Sequence, residues 1–426
     1  MDIKRLKTIQ SNFLKEIQDT YNGKKTSLPF IINQIPPTSL VKDGEIFQAL
    51  VIGGSVYKKA ILKKGKEKIT IVKIEEGDQP LFKTAKDFFL FVEKLVDPNI
   101  NMISINFAYR IKPTVRELLS ISKRSRLDGV LIGGSKENTF DGLIGEMVGE
   151  RIELYFKKKN KEIMVVVAND TICLLFAALT KYEPMMLAGG ADGTGVNFAF
   201  FLDKEKAVNL ESASFDKFPQ SKEGKIIDST SSNRGGWLFE KETAGAYLYK
   251  HFNLMVKERG IDYPQISSTE ELNALGASPQ PNPLPQGERE RERVKQVQHD
   301  MIRVSEIARN LLTRSAQLVA CQIAGITEFK QGQNIISRHS GKHQRIQNLY
   351  SSERFWTRRV PDGNPSSQND KMNEGMVFNM EGSLFWKANN YKQTVEQTVK
   401  RLLPKYNVKF VQIKESGILG AAKLVS

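Results

Sequence analysis

A glycine-centred turn between two β-prone runs occurs twice in this chain, once in each half. The first unit occupies residues 47–57 (FQALVIGGSVY) and the second occupies residues 191–202 (ADGTGVNFAFFL). Because glycine carries no side chain, backbone N–H groups at such a turn can cradle a phosphate. Either turn alone is better explained as an ordinary hairpin. The repetition favours a duplicated phosphate-clamping architecture and indicates an enzyme that uses a nucleotide.

Hydrophobic periodicity predicts strands interspersed with helices, which is typical of an α/β or α+β layered fold. Helical patterns fall at residues 3–21, 84–96, 113–122 and 391–403, with further helices after Asp170 and at the Gly/Ala-rich end of the chain. Strand patterns fall at residues 46–52, 55–62, 68–75, 101–107, 162–168 and 408–413.

The charge balance requires an anionic partner to be considered. The 426 residues carry a net charge of +15, which either nucleotide phosphates or nucleic acid would complement. Residues 330–371 hold eight Lys/Arg against three Asp/Glu and are predicted to form a solvated basic loop. Residues 277–293 (ASPQPNPLPQGERERER) are predicted to be an exposed, disordered insertion, or equally a translated repeat without function.

Cysteine usage and the first residues of the chain favour a cytoplasmic protein. Cys173 and Cys321 both lie in apolar helical patterns and are predicted to be core residues. No apolar segment follows the charged start MDIKRLK, so we expect no secretory signal. The apolar run at 172–179 is too short to span a bilayer, and no membrane partner is predicted.

Two groups of polar residues could carry chemistry. Asn169 and Asp170 follow a strand that has a buried pattern, and in layered α/β sheets ligands bind at that end. Asp170 could accept a proton from a substrate hydroxyl during phosphoryl transfer, or it could cap the next helix, and the two roles are compatible. Glu211 and Glu240 could bind a polyol, since each carboxylate can accept two hydroxyl hydrogen bonds. Glu240 could equally lie on the solvated side of a helix.

Together these segments resemble the eukaryotic-type hexokinase family, in the same order along nearly the whole chain. The segments that carry the resemblance are residues 28–50, Asn169-Asp170-Thr171, Gly193-Thr194-Gly195-Val196-Asn197, Asn209-Leu210-Glu211, residues 233–247, Glu381-Gly382-Ser383 and Gly420-Ala421-Ala422. The resemblance implies a two-lobed actin-like (ribonuclease H-like) ATPase fold with a ligand cleft between the lobes. The small lobe would span residues 1–180 and the large lobe residues 181–426.

The resemblance also implies the site residues. Asp170 would be the catalytic base that deprotonates the 6-hydroxyl of a hexose. The substrate-binding residues would be Ser135, Lys136, Asn169, Asn197, Glu211 and Glu240. The residues that bind ATP would be Gly53, Gly54, Ser55, Lys58, Gly193, Thr194, Gly195, Gly382, Ser383 and Gly417. Mg²⁺ would be bound mainly through the nucleotide, so no protein residue is predicted to be a metal ligand.

Four places depart from the family pattern, one of them Ser212-Ala213, where the family has Trp-Gly. Val51 stands where the family has an Asp that helps to position the metal, Val56 replaces an adenosine-side Asn, and Ala108 lacks a sugar-binding Ser hydroxyl. The leading hypothesis is an ATP-dependent kinase of a hexose, glucose first, that supplies glycolysis. The alternative is a hexokinase-like sugar-binding protein with weak or no kinase activity. Nucleic-acid binding would rest only on the charge. The sequence predicts no particular oligomeric state.

Overall fold

The computed structural model describes residues 1–35, 39–53, 56–66, 68–117, 125–134, 138–277, 288–340 and 375–426. Within these ranges the strands are β1 (Ile31–Gln34), β2 (Ile46–Ile52), β3 (Val56–Lys64), β4 (Ile69–Asp78), β5 (Met102–Phe107), β6 (Arg110–Glu117), β7 (Ser125–Gly133), β8 (Met164–Asn169), β9 (Leu187–Asp192), β10 (Val196–Phe201), β11 (Lys206–Asn209), β12 (Gly375–Glu381) and β13 (Asn407–Val411). The α-helices are α1 (Ile3–Tyr21), α2 (Ala85–Leu95), α3 (Val148–Lys157), α4 (Asp170–Ala177), α5 (Lys222–Thr230), α6 (Leu238–Thr243), α7 (Gly245–Glu258), α8 (Thr269–Ala277), α9 (Glu288–Ser340), α10 (Ser383–Lys387), α11 (Tyr391–Leu402) and α12 (Ser416–Lys423). Short 3-10 helices lie at Ala178–Thr180, Pro184–Met186 and Ser212–Ser214.

Two sheets repeat one strand order. The first sheet runs β4-β3-β2-β5-β8, and the second runs β11-β10-β9-β12-β13 with β1 added at its edge. In each sheet the first three strands of this order pair antiparallel with one another. The fourth strand pairs parallel with the third, and the fifth pairs parallel with the fourth. The first glycine turn joins β2 to β3 and the second joins β9 to β10, so both occupy the same place in their sheets. The duplicated architecture predicted from the two turns is confirmed.

Helices α4 and α12 lie between the two sheets. Each follows the last strand of its own sheet, and their buried apolar side chains join residues from both sheets in one core. The helices cross very closely at Gly420, where a Cβ atom would lie 1.8 Å from the carbonyl oxygen of Cys173. This close crossing requires glycine and fixes the middle of α4 against the middle of α12.

The outer faces of the sheets are covered by the remaining helices. Apolar side chains of α2 and α3 pack on the first sheet. Helices α1, α7, α8, α9 and α11 contribute to the core on the second sheet. Helix α1 and strand β1 therefore lie with the second sheet although they precede the first in sequence. The division of the chain at residue 180 stays a prediction.

Most predicted elements are present within a few residues of their expected ends, and one is wrong. The helix predicted over 113–122 is a strand as far as Glu117: β6 pairs antiparallel with β7 in a two-stranded ribbon. Buried Ile111 and exposed Lys112 show the two-residue alternation of a strand. Pro113 is tolerated because a ribbon strand needs hydrogen bonds on one side only. Residues 118–122 lie outside the described residues.

The two polar segments also differ from expectation where the structure describes them. Of the predicted insertion at 277–293, residues 278–287 lie outside the described residues, and residues 288–293, predicted to be disordered, begin α9. Residues 330–340 belong to the same helix rather than to a solvated loop, and 341–371 are not described. Lys330 is fully buried and donates to the carbonyl oxygen of Phe201; burial lowers the pKa of this lysine to about 8.

The cysteine prediction is confirmed, because Cys173 and Cys321 are both buried and unpaired with another sulfur. Among the described residues, no helix combines the length and apolarity that crossing a membrane would require.

Candidate active site

Asp170 stands where the last strand of the first sheet turns into α4. Asn169 ends β8 and caps the helix: its Oδ1 accepts from the backbone N–H of Thr171 at 3.0 Å. Asp170 is thus the first residue of the helix rather than its cap, and its Oδ1 accepts from the same N–H at 2.7 Å. The positive end of the helix dipole favours a negative charge at this position. The carboxylate is held in one orientation beside the junction of the two sheets.

A network of amide side chains links this helix start to the second sheet. Asn197 on β10 donates to Thr171 Oγ1 at 3.1 Å and to Asn209 Oδ1 at 2.8 Å. Asn209, which ends β11, donates to Asn169 Oδ1 at 3.2 Å and to Glu211 Oε1 at 2.8 Å. The structure therefore brings together four of the predicted residues (Asn169, Asp170, Asn197 and Glu211) around Asn209. The strand order accounts for this assembly, because β10 and β11 are neighbours.

Glu211 is held in an unusual backbone conformation in this network. Its φ of +52° lies in the left-handed region, which residues other than glycine rarely adopt. Such a backbone conformation often marks a functional site. Burial raises the pKa of its carboxyl, the Asn209 hydrogen bond opposes that shift, and the charge of Asp170 adds to it. The positive charge of Arg110, at the start of β6, also opposes the shift. Two carboxyl groups thus face the same small region.

Glu240 joins this group through the second glycine turn. It lies in α6, which starts after Trp237, another residue of positive φ (+51°). Its Oε2 accepts from the backbone N–H of Val196 at 3.4 Å, and a Cβ atom on Gly195 would lie 2.6 Å from that oxygen. Glu240 is half-buried and aimed at the turn, so the alternative that it lies on a solvated helix face is wrong.

The second glycine turn (residues 193–195) borders a cavity of about 320 Å³. Gly193 and Thr194 line it together with Ser383 and Lys387 of α10 and with residues 267–270 at the start of α8. Gly382 packs so tightly beneath the turn, with φ of +118°, that a Cβ atom there would lie 2.0 Å from the carbonyl oxygen of Asp192. The cavity falls in the size range of small-molecule sites, and its lining combines apolar groups with hydroxyl, amide and charged side chains beside exposed backbone.

In the first glycine turn (residues 53–55), the one described residue, Gly53, is held differently. The backbone N–H of Gly53 donates to Gln79 Oε1 at 2.8 Å, and Gln79 Nε2 donates to the hydroxyl of Tyr109 at 2.7 Å. Gly53 has no room for a side chain, since a Cβ atom would lie 2.2 Å from the Cβ of Ala108. An uncharged side-chain oxygen therefore occupies a backbone donor of this turn. Gly54 lies outside the described residues, as does Ser55.

Two acidic residues lie against Lys58, which follows the first turn: Glu76 on β4 of the same sheet, and Glu415 immediately before α12. Its Nζ lies 2.9 Å from Glu415 Oε2 and 3.4 Å from Glu76 Oε2. Burial lowers the pKa of Lys58, but the hydrogen bonds and charges of Glu415 and Glu76 together more than offset it, so the pKa is raised. Glu381 at the end of β12 accepts a hydrogen bond from Ser416, and burial, with the charge of Asp170, raises its carboxyl pKa. These contacts connect the strand that follows the first glycine turn with the end of β12 and the start of α12.

Of the remaining predicted residues, Gly417 lies against Val51 and Asn106, and its carbonyl oxygen accepts from Asn106 Nδ2 at 3.4 Å. Ser135 and Lys136 lie outside the described residues. Sequence reasoning did not select Asn209, Gln79 or Glu381 as site residues. Asn209 and Glu381 lie next to or near predicted site residues in the sequence, and this proximity is the signal that could have identified them. Nothing local marks Gln79, since it reaches Gly53 only through the pairing of β3 with β4.

Among the described residues, no group of three or more His, Cys, Asp or Glu side chains could hold a metal ion. Val51 presents its methyl groups to Gly417, where a Cβ atom would lie 3.2 Å from Val51 Cγ2.

Two sheets of one repeated order, a glycine turn in each, and a carboxylate at the start of the helix between them define the actin-like ATPase fold. A hexokinase from Schistosoma mansoni complexed with glucose has the same fold: the TM-score is 0.70 at 17% identity, covering 100% of this chain and 95% of that one. A second hexokinase structure matches with a TM-score of 0.68 at 18% identity, covering 100% of this chain and 96% of that one.

Sequence comparison identifies the family within this fold. The family model described as hexokinase matches residues 193–426, more than half of the chain. A hexokinase of Emericella nidulans is 25% identical over 391 residues, covering 80% of this chain and 77% of that protein. A hexokinase of Kluyveromyces lactis is 24% identical over 287 residues, covering 59% of this chain and 57% of that protein. The chain belongs to the hexokinase family, as a divergent enzyme of the eukaryotic type.

Proposed function

We propose that this enzyme transfers the terminal phosphoryl group of ATP to the 6-hydroxyl of a hexose, glucose first, with Asp170 as the catalytic base. The observation that carries the proposal is the position of Asp170 at the start of α4, within the network that also holds Asn169, Asn197 and Glu211. A carboxylate fixed among hydroxyl-binding groups can accept a proton from one hydroxyl while its neighbours hold the others.

The hexose would lie against the second sheet. Glu211 and Glu240 are acceptors for sugar hydroxyls, and the amide of Asn169 can both donate and accept. Asn197 would act beside them, with its two N–H groups already bonded to Thr171 and Asn209. The interactions among Asn197, Asn209 and Thr171 fix these side chains before a sugar arrives, which lowers the entropy cost of binding. Asp170 would take the proton of the 6-hydroxyl as its oxygen attacks phosphorus. The sugar contacts of Ser135 and Lys136 stay predictions.

The nucleotide would occupy the cavity beside the second glycine turn. The volume of this cavity, about 320 Å³, fits a nucleoside. At its mouth, Gly193 and Thr194 offer backbone N–H groups for the phosphates. Lys387 adds a positive charge to the lining. Mg²⁺, bound mainly through the nucleotide, would neutralise part of the negative charge that develops during phosphoryl transfer. Gly53 and Lys58 would contribute from the first turn once Gln79 and Glu415 release them.

The deciding experiment is a coupled assay for ADP with glucose and Mg²⁺, which compares the wild type with Asp170→Asn and with the exposed control Asp43→Asn. We expect sugar-dependent turnover that falls by a factor of about 10²–10⁴ in Asp170→Asn, the usual contribution of a general base, and is unchanged in the control. Glucose binding, measured by thermal shift, should persist in both variants. Unchanged turnover in Asp170→Asn would refute the role of this residue.

Absence of turnover with every hexose and donor in a panel, together with retained sugar binding, would instead support a sugar-binding protein without kinase activity.

A further inference from the structure

A buried carboxyl group lies directly beneath the second glycine turn. Asp192 ends β9, immediately before Gly193, and its side chain is fully buried. Neither carboxyl oxygen makes a hydrogen bond of ordinary geometry with any described group. The hydroxyl of Tyr391, at the start of α11, is the one titratable described group that acts on it. A buried carboxylate without donors is costly, whereas a buried neutral carboxyl group is much less so.

The hydroxyl groups beside Asp192 form a chain with a definite direction. Ser315 on α9 donates to the carbonyl oxygen of Thr243 at 2.6 Å. The oxygens of Ser315 and Tyr391 are 2.7 Å apart. Because the Ser315 proton is already used, the Tyr391 hydroxyl is the donor to Ser315. The Tyr391 oxygen can then only accept from Asp192, which a protonated carboxyl group provides and an ionised one does not.

Ionisation of Asp192 would therefore reverse the direction of hydrogen-bond donation between Asp192 and Tyr391. The Tyr391 hydroxyl would turn from Ser315 to the carboxylate, since a charged acceptor forms the stronger hydrogen bond. Burial raises the pKa of Asp192 to about 7, and the Tyr391 hydroxyl partly opposes the shift. The two arrangements would exchange near neutral pH.

Both ends of this series of hydrogen-bonded hydroxyl groups contact elements of the candidate site. Thr243 ends α6, the helix that carries Glu240, and two residues later the backbone N–H of Gly245 donates to the carbonyl oxygen of Gly193 at 2.8 Å. At the other end, the Asp192 backbone is in close contact with Gly382. The orientation of the 193–195 turn thus depends on contacts on either side of Asp192.

We propose that Asp192 is a positioning residue for the nucleotide: as a neutral carboxyl group it holds the second glycine turn through Tyr391 and Ser315, and its ionisation weakens nucleotide binding. The nucleotide-binding part of this inference rests on the proposed function. The phosphate charges of a bound nucleotide would in turn favour the neutral carboxyl, so binding would take up a proton above neutral pH.

The first test needs no substrate. We would measure urea unfolding of the wild type and of Asp192→Asn, whose amide resembles the neutral acid, from about pH 4 to about pH 8. The native pKa is raised from 3.8 to about 7, so the Asp192 contribution to stability is complete below the unfolded value and is lost as pH rises through the native value. The wild type should lose stability relative to Asp192→Asn across this window, and the difference should level off above it. Parallel curves for the two proteins would overturn the proposal.

Tyr391→Phe provides an independent check, which also serves if Asp192→Asn fails to fold. Loss of the hydroxyl removes the one donor available to the ionised carboxyl, so the midpoint of the stability loss should move to higher pH. An unshifted midpoint would contradict the hydroxyl chain.

The second test measures binding of MgATP by calorimetry at about pH 6 and about pH 8. If only the neutral form holds the turn, wild-type affinity should fall by up to about tenfold per pH unit above neutrality, and Asp192→Asn should not share this fall. Equal pH dependence in both proteins would refute the positioning role. Absence of MgATP binding at both pH values, with the stability result intact, would refute the proposed function while leaving the chain of hydroxyls in place.

Discussion

The proposed sugar side (Asn197, Asn209 and Glu211) and the first glycine turn, proposed to meet the nucleotide, are prepared for ligands in opposite ways. On the proposed sugar side, Asn197, Asn209 and Glu211 bond to one another and are held in place before any ligand binds. At the first turn, Gly53 and Lys58 use their donors on Gln79 and Glu415. The sugar side is preassembled, whereas the first turn is occupied by the protein's own side chains.

The difference concerns the cost of binding. A sugar that meets fixed groups loses little free energy to their reorganisation. A phosphate at the first turn must first displace Gln79 and draw Lys58 from Glu415, and each exchange lowers the net gain. Because the second turn borders an open cavity, we expect the nucleotide to depend on it more than on the first turn. Three substitutions test this comparison.

Glu211→Gln should have the largest effect, because it removes a charged acceptor from the preassembled side. Hydrogen bonds to charged groups contribute about 1.5–3 kcal/mol, so the KM for glucose should rise about 10- to 100-fold. Burial and the charge of Asp170 raise the pKa of Glu211, so wild-type sugar affinity should increase as pH rises through a value above the ordinary glutamate range. Steady-state kinetics against pH would check both effects.

The matched control for Glu211→Gln is Glu205→Gln, an exposed residue that precedes β11. It should leave both the KM and its pH dependence unchanged. A Glu211→Gln enzyme with wild-type KM would show that the preassembled network does not hold the sugar.

The sugar side was also the more predictable from sequence. Asn169 and Asp170 lie where a strand meets a helix, and the pairing of β10 with β11 brings Asn197 and Glu211 together. The duplicated sheets followed from the two glycine turns for the same reason, since a turn between two strands is a local pattern.

The contacts of the first turn could not be predicted, because they depend on residues far apart in the chain. Lys58, which follows the first turn, meets Glu415 across 357 positions in the sequence. The same holds beside the second turn, where Tyr391 meets Ser315 across 76 positions. The 113–122 error has a similar origin, since the apolar residues there fit either period and the pairing with β7 decided the outcome. No local pattern encodes which distant side chain will occupy a backbone donor.

Gln79→Ala should have an intermediate effect, and of opposite sign to that of Glu211→Gln. Removing the carboxamide leaves the N–H of Gly53 available to a phosphate oxygen, and a neutral hydrogen bond contributes about 0.5–1.5 kcal/mol. The KM for ATP should fall by about two- to tenfold while the KM for glucose stays constant. Both constants come from one two-substrate kinetic experiment.

Gln393→Ala, on the exposed side of α11, is the control for a glutamine-to-alanine change. A higher KM for ATP in Gln79→Ala would mean that Gln79 supports the first turn rather than competing for it, and the contrast between the two sides would then fail.

Glu415→Gln should have the smallest effect. The side chains of Lys58 and Glu415 are 33% and 24% exposed, and partly exposed ion pairs contribute only about 0–1 kcal/mol. Loss of the charge should release Lys58 toward the nucleotide, lowering the KM for ATP by no more than about fivefold at low salt and less at high salt. Glu76→Gln, which removes the longer 3.4 Å contact of a more exposed carboxylate, should have less effect still. In a Lys58→Met background the Glu415→Gln effect should disappear, because the double-mutant cycle isolates the pair. If it persists there, Glu415 acts on the nucleotide directly and Lys58 is not the residue that it restrains.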